Sequence, residues 1–391
     1  MKPKLRFREF NNDWNEINLK KLLSFKNGIN GDKDSYGHGI KYISVGDILN
    51  NTYITYDKIK GLVDINDKTL KENSVEYGDI VFQRSSETFN DIGQANVYLD
   101  KEKIATFGGF VIRGKKIGNY NPLFFNYLLK SPCNRKKVIV KGAGAQHYNI
   151  SQEELEKINV NFTSEKEQKK IANLFYILDK KIEIQQRKID TLKMYKKGLI
   201  VRIYTKQYSN KEKLLKLINQ KSNKNSNNEV NEVYSISNKD GFLLQSNQFK
   251  DRMIASEDIS NYKIVKKDYF AYNPARINVG SIARMKEAKQ GIISPMYICF
   301  ICNEKILPDY LEYFYESSVF KYEMNKRLEG SVRMCLSYES MINIPIELPS
   351  LEEQRKSSQI LNKIDEKIKK EENIYIIQNN LKKGLLQKMF I

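Results

Sequence analysis

Histidine is nearly absent from this 391-residue chain, which has only His38 and His147. Neither has a serine or carboxylate beside it in a nucleophile arrangement, so exposed loop positions are expected for both. The four cysteines, Cys133, Cys299, Cys302 and Cys335, are too few and too scattered for a disulfide framework. Cys299 and Cys302 have the spacing of a metal or redox pair, but they lie in an apolar strand-like run with no second pair nearby. They read as packed core thiols. No run of about 18 apolar residues occurs, and Met1–Phe10 has no apolar core of the kind a signal peptide needs. A reducing cytoplasm is the expected setting.

Glycine motifs are equally sparse. Gly142-Ala143-Gly144 has neither a strand–turn–helix frame nor a lysine at phosphate-loop spacing, and no dinucleotide or methyl-donor glycine motif occurs. Asn273-Pro274-Ala275-Arg276 lacks the second proline and the aromatic of an amino-methyltransferase motif. These gaps point to a reader of another molecule and away from an enzyme.

What the chain has in excess is positive charge. Sixty-six Lys and Arg against 47 Asp and Glu give a formal charge of +19, which makes a polyanion the first partner to test, because neutralised phosphates release counterions. Apolar residues are 40 % of the chain, enough for real cores, and the length suggests more than one domain.

The strongest internal signal is a repeat. Ser164-Glu165-Lys166-Glu167-Gln168 opens a run in which Ile171, Leu174, Leu178, Ile182, Gln185, Ile189, Leu192, Lys196, Leu199 and Ile203 advance in steps of three and four. Ser164 and Glu167 have capping-box spacing, with the glutamate expected to reach back to the helix start. The narrow stripe predicts a coiled-coil seam on a helix of roughly 60 Å. Ser350-Leu351-Glu352-Glu353-Gln354 starts a second such run, with Ile360, Ile364, Ile368, Tyr375, Gln378, Leu381, Leu385 and Met389 as its seam. At a fixed offset of 186, Gly144–Tyr204 aligns without a gap on Gly330–Phe390, and 15 of the 61 pairs are identical; chance would give roughly one in 17.

The predicted organisation is a mixed domain over 1–163, a spacer helix over 164–206, a second mixed domain over 207–349 and a second helix over 350–391. The fold class is α+β, with two α/β domains in tandem and two long antiparallel helices in a pseudo-twofold arrangement. Within the domains, Lys41–Leu49, Asp79–Gln83, Ala105–Arg113, Val233–Ser237, Tyr262–Tyr272 and Ile292–Ile301 read as strands. Pro122–Leu129 and Pro308–Tyr315 read as helices. Asn219–Asn228 reads as an exposed loop outside the core.

The two domains share their frames, but some loops diverge. Gln83-Arg84-Ser85-Ser86-Glu87 faces Asn273-Pro274-Ala275-Arg276-Ile277 with little in common. Arginine suits guanine, and asparagine or glutamine suits adenine, in the major groove. On the family resemblance described next, which implies DNA reading by these loops, the candidate DNA-contacting residues are Gln83, Arg84, Ser85, Ser86 and Gln146 in the first domain, and Asn273, Arg276, Asn278 and Arg333 in the second.

Taken in order and in duplicate, these marks resemble the specificity subunit of Type I restriction-modification systems. The resemblance rests on Gly78-Asp79-Ile80-Val81-Phe82, Ile150-Ser151, Leu348-Pro349-Ser350-Leu351-Glu352-Glu353-Gln354, Gly384-Leu385-Leu386-Gln387, and Leu5-Arg6-Phe7 with Trp14. Thr163 stands where the second copy has Pro349, and Lys267-Asp268 where the first has Gly78-Asp79. The resemblance implies two target-recognition domains, each reading half of a bipartite DNA site, with the helices as ruler and docking surface. Implied partners are two methyltransferase subunits, binding S-adenosylmethionine, and restriction subunits that use ATP and Mg; no cofactor or metal is expected on this chain. The alternatives are a stand-alone dimeric coiled-coil DNA-binding regulator and a metal-dependent nuclease.

Overall fold

In the computed structural model, residues 2–144, 146–238, 240–248, 258–286, 289–330 and 334–391 are described. The chain forms two compact units: Met1–Gln186 with Asn373–Ile391, and Arg187–Glu372. Each contains part of both long helices, which span Glu165–Thr205 and Leu351–Met389.

The first unit is built on an antiparallel sheet in the order Leu23–Asn27, Val111–Lys116, Ile80–Gln83, Ala95–Val97. A second sheet sets Tyr36–Ile43 antiparallel to Gly61–Val63 and parallel to Thr106–Phe107. The second unit repeats the plan. Ile218–Lys221, Ile298–Cys302, Phe270–Tyr272 and Ile282–Arg284 form the first sheet. In the second, Val233–Ser237 again runs parallel to one neighbour, Gln290–Ile293. Both sheets bury aromatic and β-branched side chains, such as Phe82, Tyr98 and Phe107 in one unit and Phe270, Tyr272 and Phe300 in the other, as half-covered pleated surfaces require.

The long helices are held to their domains by the same bonds twice. The Gln168 side chain accepts from Asn121 N at 2.9 Å and donates to Thr163 O at 2.8 Å. Its counterpart Gln354 accepts from Leu307 N at 2.9 Å and donates to Pro349 O at 3.0 Å. A threonine carbonyl serves as well as a proline carbonyl, so the helix entry survives the replacement at 163. Tyr127 donates to Asp179 at 2.5 Å and Tyr313 to Asp365 at 2.7 Å. Each aspartate also takes a lysine from the other long helix: Lys382 pairs with Asp179 in the first unit, and Lys196 with Asp365 at 2.9 Å in the second. Lys188 pairs with Glu371 further along, so the helices run antiparallel within each unit. The termini meet in the first unit, where Leu5 N donates to Lys388 O at 2.9 Å and Trp14 packs on Phe390.

Several expectations need correction. Glu167 does not close a capping box, because its buried carboxylate is held by the Arg6 guanidinium at 2.7 Å through both oxygens; Ser350 and Glu353 do pair, at 3.2 Å. Ile360 and Leu381 are outside the second seam, at 51 % and 52 % exposure, because Leu361 turns inward at the first position and Lys382 at the second. The strand expected over Lys41–Leu49 ends at Ile43, where Ser44 binds Asp47 and starts a helix over Val45–Asn50. Ala105–Arg113 is two strands, broken at Gly108-Gly109-Phe110; a side chain on Gly108 would come within 2.5 Å of the Tyr42 ring. The Tyr262–Tyr272 and Ile292–Ile301 runs are each likewise two strands. Of the expected loop Asn219–Asn228, residues 219–221 belong to an edge strand. Asn225 is buried and brackets Val230, donating to its carbonyl at 2.9 Å and accepting from its amide at 3.1 Å.

Candidate nucleic-acid interface

Three connections meet at one edge of each unit. In the first they are the segment 84–94 between two sheet strands, the turn 108–110, and the glycine hairpin 143–149, closed by Ala143 and Asn149 at 2.8 and 2.9 Å. Arg84 N donates to Phe110 O at 2.9 Å, and Ile150 N donates to Arg84 O at 3.0 Å. Ser85–Ser86 pairs with Tyr148–Asn149, so the three connections form one surface.

The second unit keeps part of this junction: Pro274, in the place of Arg84, has no N–H to donate to the facing turn, and no ladder matching that of Ser85–Ser86 with Tyr148–Asn149 forms among the described residues. Its hairpin is closed by Glu329 and Cys335, 186 residues beyond Ala143 and Asn149, and Leu336 N donates to Pro274 O at 3.1 Å. Gly144 and Gly330 take φ of +138° and +113°, and Gly93 and Gly280 take +63° and +95°, conformations that a side chain would strain. Gly78, at φ +94°, is matched by Asp268, at φ +67°, since a short acid tolerates the left-handed region better than most residues. The structural partner of Gly78 is therefore Asp268, one residue beyond the Gly-Asp pairing that the sequence suggests.

The candidate residues divide into frame and edge. Gln83 is buried, and its amide donates to Ser85 O at 2.8 Å. Ser86 is buried too, its hydroxyl accepting from Thr88 N at 3.1 Å; both shape the loop from inside. Arg84 is half-buried with its guanidinium on Gly109 O at 3.3 Å, and Ser85 binds the Asn149 side chain. Gln146 is exposed at the hairpin tip. Asn273 is half-buried, accepting from Ala275 N at 3.0 Å. Arg276 and Asn278 are exposed, and the Arg276 carbonyl accepts from Val279 N and Ser281 N to close the turn. Arg333 lies outside the described residues. Of these candidates, Gln146 on the first edge and Arg276 and Asn278 on the second are exposed, while Arg84, Ser85 and Asn273 are half-buried and held by local hydrogen bonds.

Sequence reasoning missed Arg135. Its guanidinium donates to Gly93 O at 2.8 Å, Ile92 O at 2.8 Å and Asn90 O at 3.0 Å, tying down the far end of the 84–94 segment. Burial pushes it down to about 10, against the pull of Asp91. The 186 offset places Lys321 there, so no repeat signal marked it. Arg135→Met is expected to speed amide exchange at Gly93 by about tenfold, one net hydrogen bond's worth. Unchanged exchange there would show that the segment holds itself.

Among the described residues no group of three or more His, Cys, Asp or Glu could hold a metal ion. Burial pushes the Cys299 and Cys302 thiols up to about 12, which keeps them protonated near neutral pH. His38 faces Asp64 at 3.6 Å with both side chains exposed. No described helix is long and apolar enough to cross a membrane.

Several known proteins resemble this chain. Residues 11–194 match the model of the Type I restriction modification DNA specificity domain. The protein described as the MjaX type I restriction enzyme specificity subunit of Methanocaldococcus jannaschii is 27 % identical over 205 residues, 51 % of this chain and 47 % of that protein; the match thus spans about half the length of the relative. The crystal structure of a Type I restriction-modification S subunit from M. genitalium superposes with a TM-score of 0.62 at 16 % identity, covering 100 % of this chain and 99 % of that one. A chain from a structure on complex assembly and conformational transition of the type I system superposes at 0.58 and 10 % identity, with 96 % of both chains covered. The fold is therefore that of restriction-modification specificity subunits: mixed α+β domains in tandem on two long antiparallel helices. Over residues 11–194 the chain is similar to the DNA specificity domain of Type I restriction-modification systems.

Proposed function

We propose that this chain reads a bipartite duplex DNA target, one half-site per domain, and directs methyltransferase and restriction subunits to it. The observation that carries this is the duplicated three-connection edge, a common backbone frame that presents Arg84, Ser85 and Gln146 in one copy and Asn273, Arg276 and Asn278 in the other. Related frames with different polar side chains are what two related but unequal half-sites call for. The +19 charge supplies the phosphate attraction that holds such a reader on duplex DNA. Methyl transfer and cleavage belong, on this reading, to partner subunits that carry S-adenosylmethionine, ATP and Mg; this chain would hold none of them and act in the cytoplasm. The type I assembly named for the structural relative supports the existence of such partners.

The test is Arg276→Ala with methylation mapped across the host genome. A bidentate arginine–guanine contact carries roughly 1–3 kcal/mol of discrimination. The variant should relax one half-site at one position by about fivefold to a hundredfold and leave the other half-site unchanged. Equal change in both half-sites would refute the division of labour. Specific binding by the purified chain as a dimer, without methyltransferase subunits, would favour the stand-alone regulator.

A further inference from the structure

One part of the junction is unexplained by packing or by the polar residues. The turn between Thr106–Phe107 and Val111–Lys116 points Phe110 outward, 68 % exposed. The matching turn between Gln290–Ile293 and Ile298–Cys302 points Met296 outward, 60 % exposed. The two positions are 186 residues apart, so each is the same place in its own copy. The side chain differs, but its size, apolar character and exposure persist. Neither turn needs it, because a polar residue would fit the same backbone and avoid exposing apolar surface to water.

Both side chains sit beside the candidate reading residues. Arg84 N donates to Phe110 O and the Arg84 guanidinium to Gly109 O. The Asn273 side-chain amide lies 3.5 Å from the Met296 sulfur. Exposed large apolar side chains grouped on a surface mark contact sites, and Phe89 in the first unit and Val279 and Met334 in the second extend the same edges. Base edges in the major groove are donors and acceptors with one exception, the C5-methyl group of thymine.

We propose that Phe110 and Met296 are specificity-determining residues, each seated on the C5-methyl group of a thymine in the half-site its own domain reads. This rests on the bipartite-reading function above. It adds that each half-site contains a thymine recognised through its methyl group, on the same side of the site as the residue read by Arg84 or Asn273.

The experiment uses the full chain with its methyltransferase subunits and duplexes in which single thymines of the mapped site are replaced by uracil, which removes only the methyl group. One replacement in the first domain's half-site should weaken binding about fourfold, the worth of one buried methyl. Phe110→Ala should bind the thymine and uracil duplexes alike, Phe110→Leu should restore the preference, and the other half-site should be indifferent to both. Met296→Ala should show the mirror pattern. The proposal is overturned if no uracil position matters, if Phe110→Ala keeps the thymine preference, or if it weakens both duplexes equally, as a wedge between base pairs would. A wild-type complex that bound the mapped site no better than scrambled DNA would instead sink the bipartite reading itself.

Discussion

Gln354→Leu is expected to destabilise the second unit by about 3 kcal/mol while leaving the first close to its wild-type stability. Gln354 is fully buried, and three backbone groups depend on its amide. Its oxygen accepts from Leu307 N at 2.9 Å, and its nitrogen donates to Lys305 O and Pro349 O at 3.0 Å each. Leucine has similar volume but no hydrogen bonds, so the loss is one of satisfaction with little change in packing. A buried group left unpaired costs about 1–3 kcal/mol, and relaxation at the exposed side of the helix entry keeps the total at the low end of the sum. Gln168→Leu should cost less, since Gln168 satisfies Asn121 N and Thr163 O alone. Two units need not unfold together, so amide exchange should be read separately over Pro308–Glu316 and Pro122–Lys130. Equal loosening of both helices by Gln354→Leu would show that the clamp is shared.

That clamp also shows what could be read without coordinates. The long helices were legible because a stripe in steps of three and four, with a serine–glutamate start, has one physical meaning. Their antiparallel pairing was one reading of the repeat, with pairing of each helix to another chain as the alternative that the narrow stripe left open. The domain frames were harder, because the offset is not constant. Leu19 and Leu22 correspond to Leu214 and Leu217 at 195, Ile80–Phe82 to Phe270–Tyr272 at 190, and Thr106–Phe107 to Ile292–Ile293 at 186. A fixed offset loses such pairs wherever a loop changes length, and this hid the Gly78–Asp268 match. The candidate edge was legible as divergence between copies, but orientation was not. Gln83 and Ser86 are polar residues turned inward to backbone partners, and no spacing rule separates them from Ser85 and Arg276. Phe110 and Met296 escaped notice for the opposite reason: apolar residues beside strands are read as core until their exposure is seen.

Adding four residues to each long helix, after Gln186 and after Glu372, is expected to lengthen the gap between half-sites by about two base pairs without changing the bases read. On the proposed function, the helices set the separation of the two readers, and four helical residues add roughly 6 Å, close to two steps of about 3.4 Å along a DNA strand. The positions matter. They fall at the division between the units, so Tyr127–Asp179–Lys382 and Tyr313–Asp365–Lys196 both stay whole. The insertion must be made in both helices. Asp179 and Lys196 are 17 residues apart, as are Asp365 and Lys382, and lengthening one helix alone would leave its aspartate and lysine out of reach of their partners on the other. The single-helix variants should therefore lose stability and methylation together, while the matched variant keeps both and reports a new gap in the methylation map. A matched variant that methylates at the original gap would refute the ruler, and the determinant of spacing would then lie in the domains.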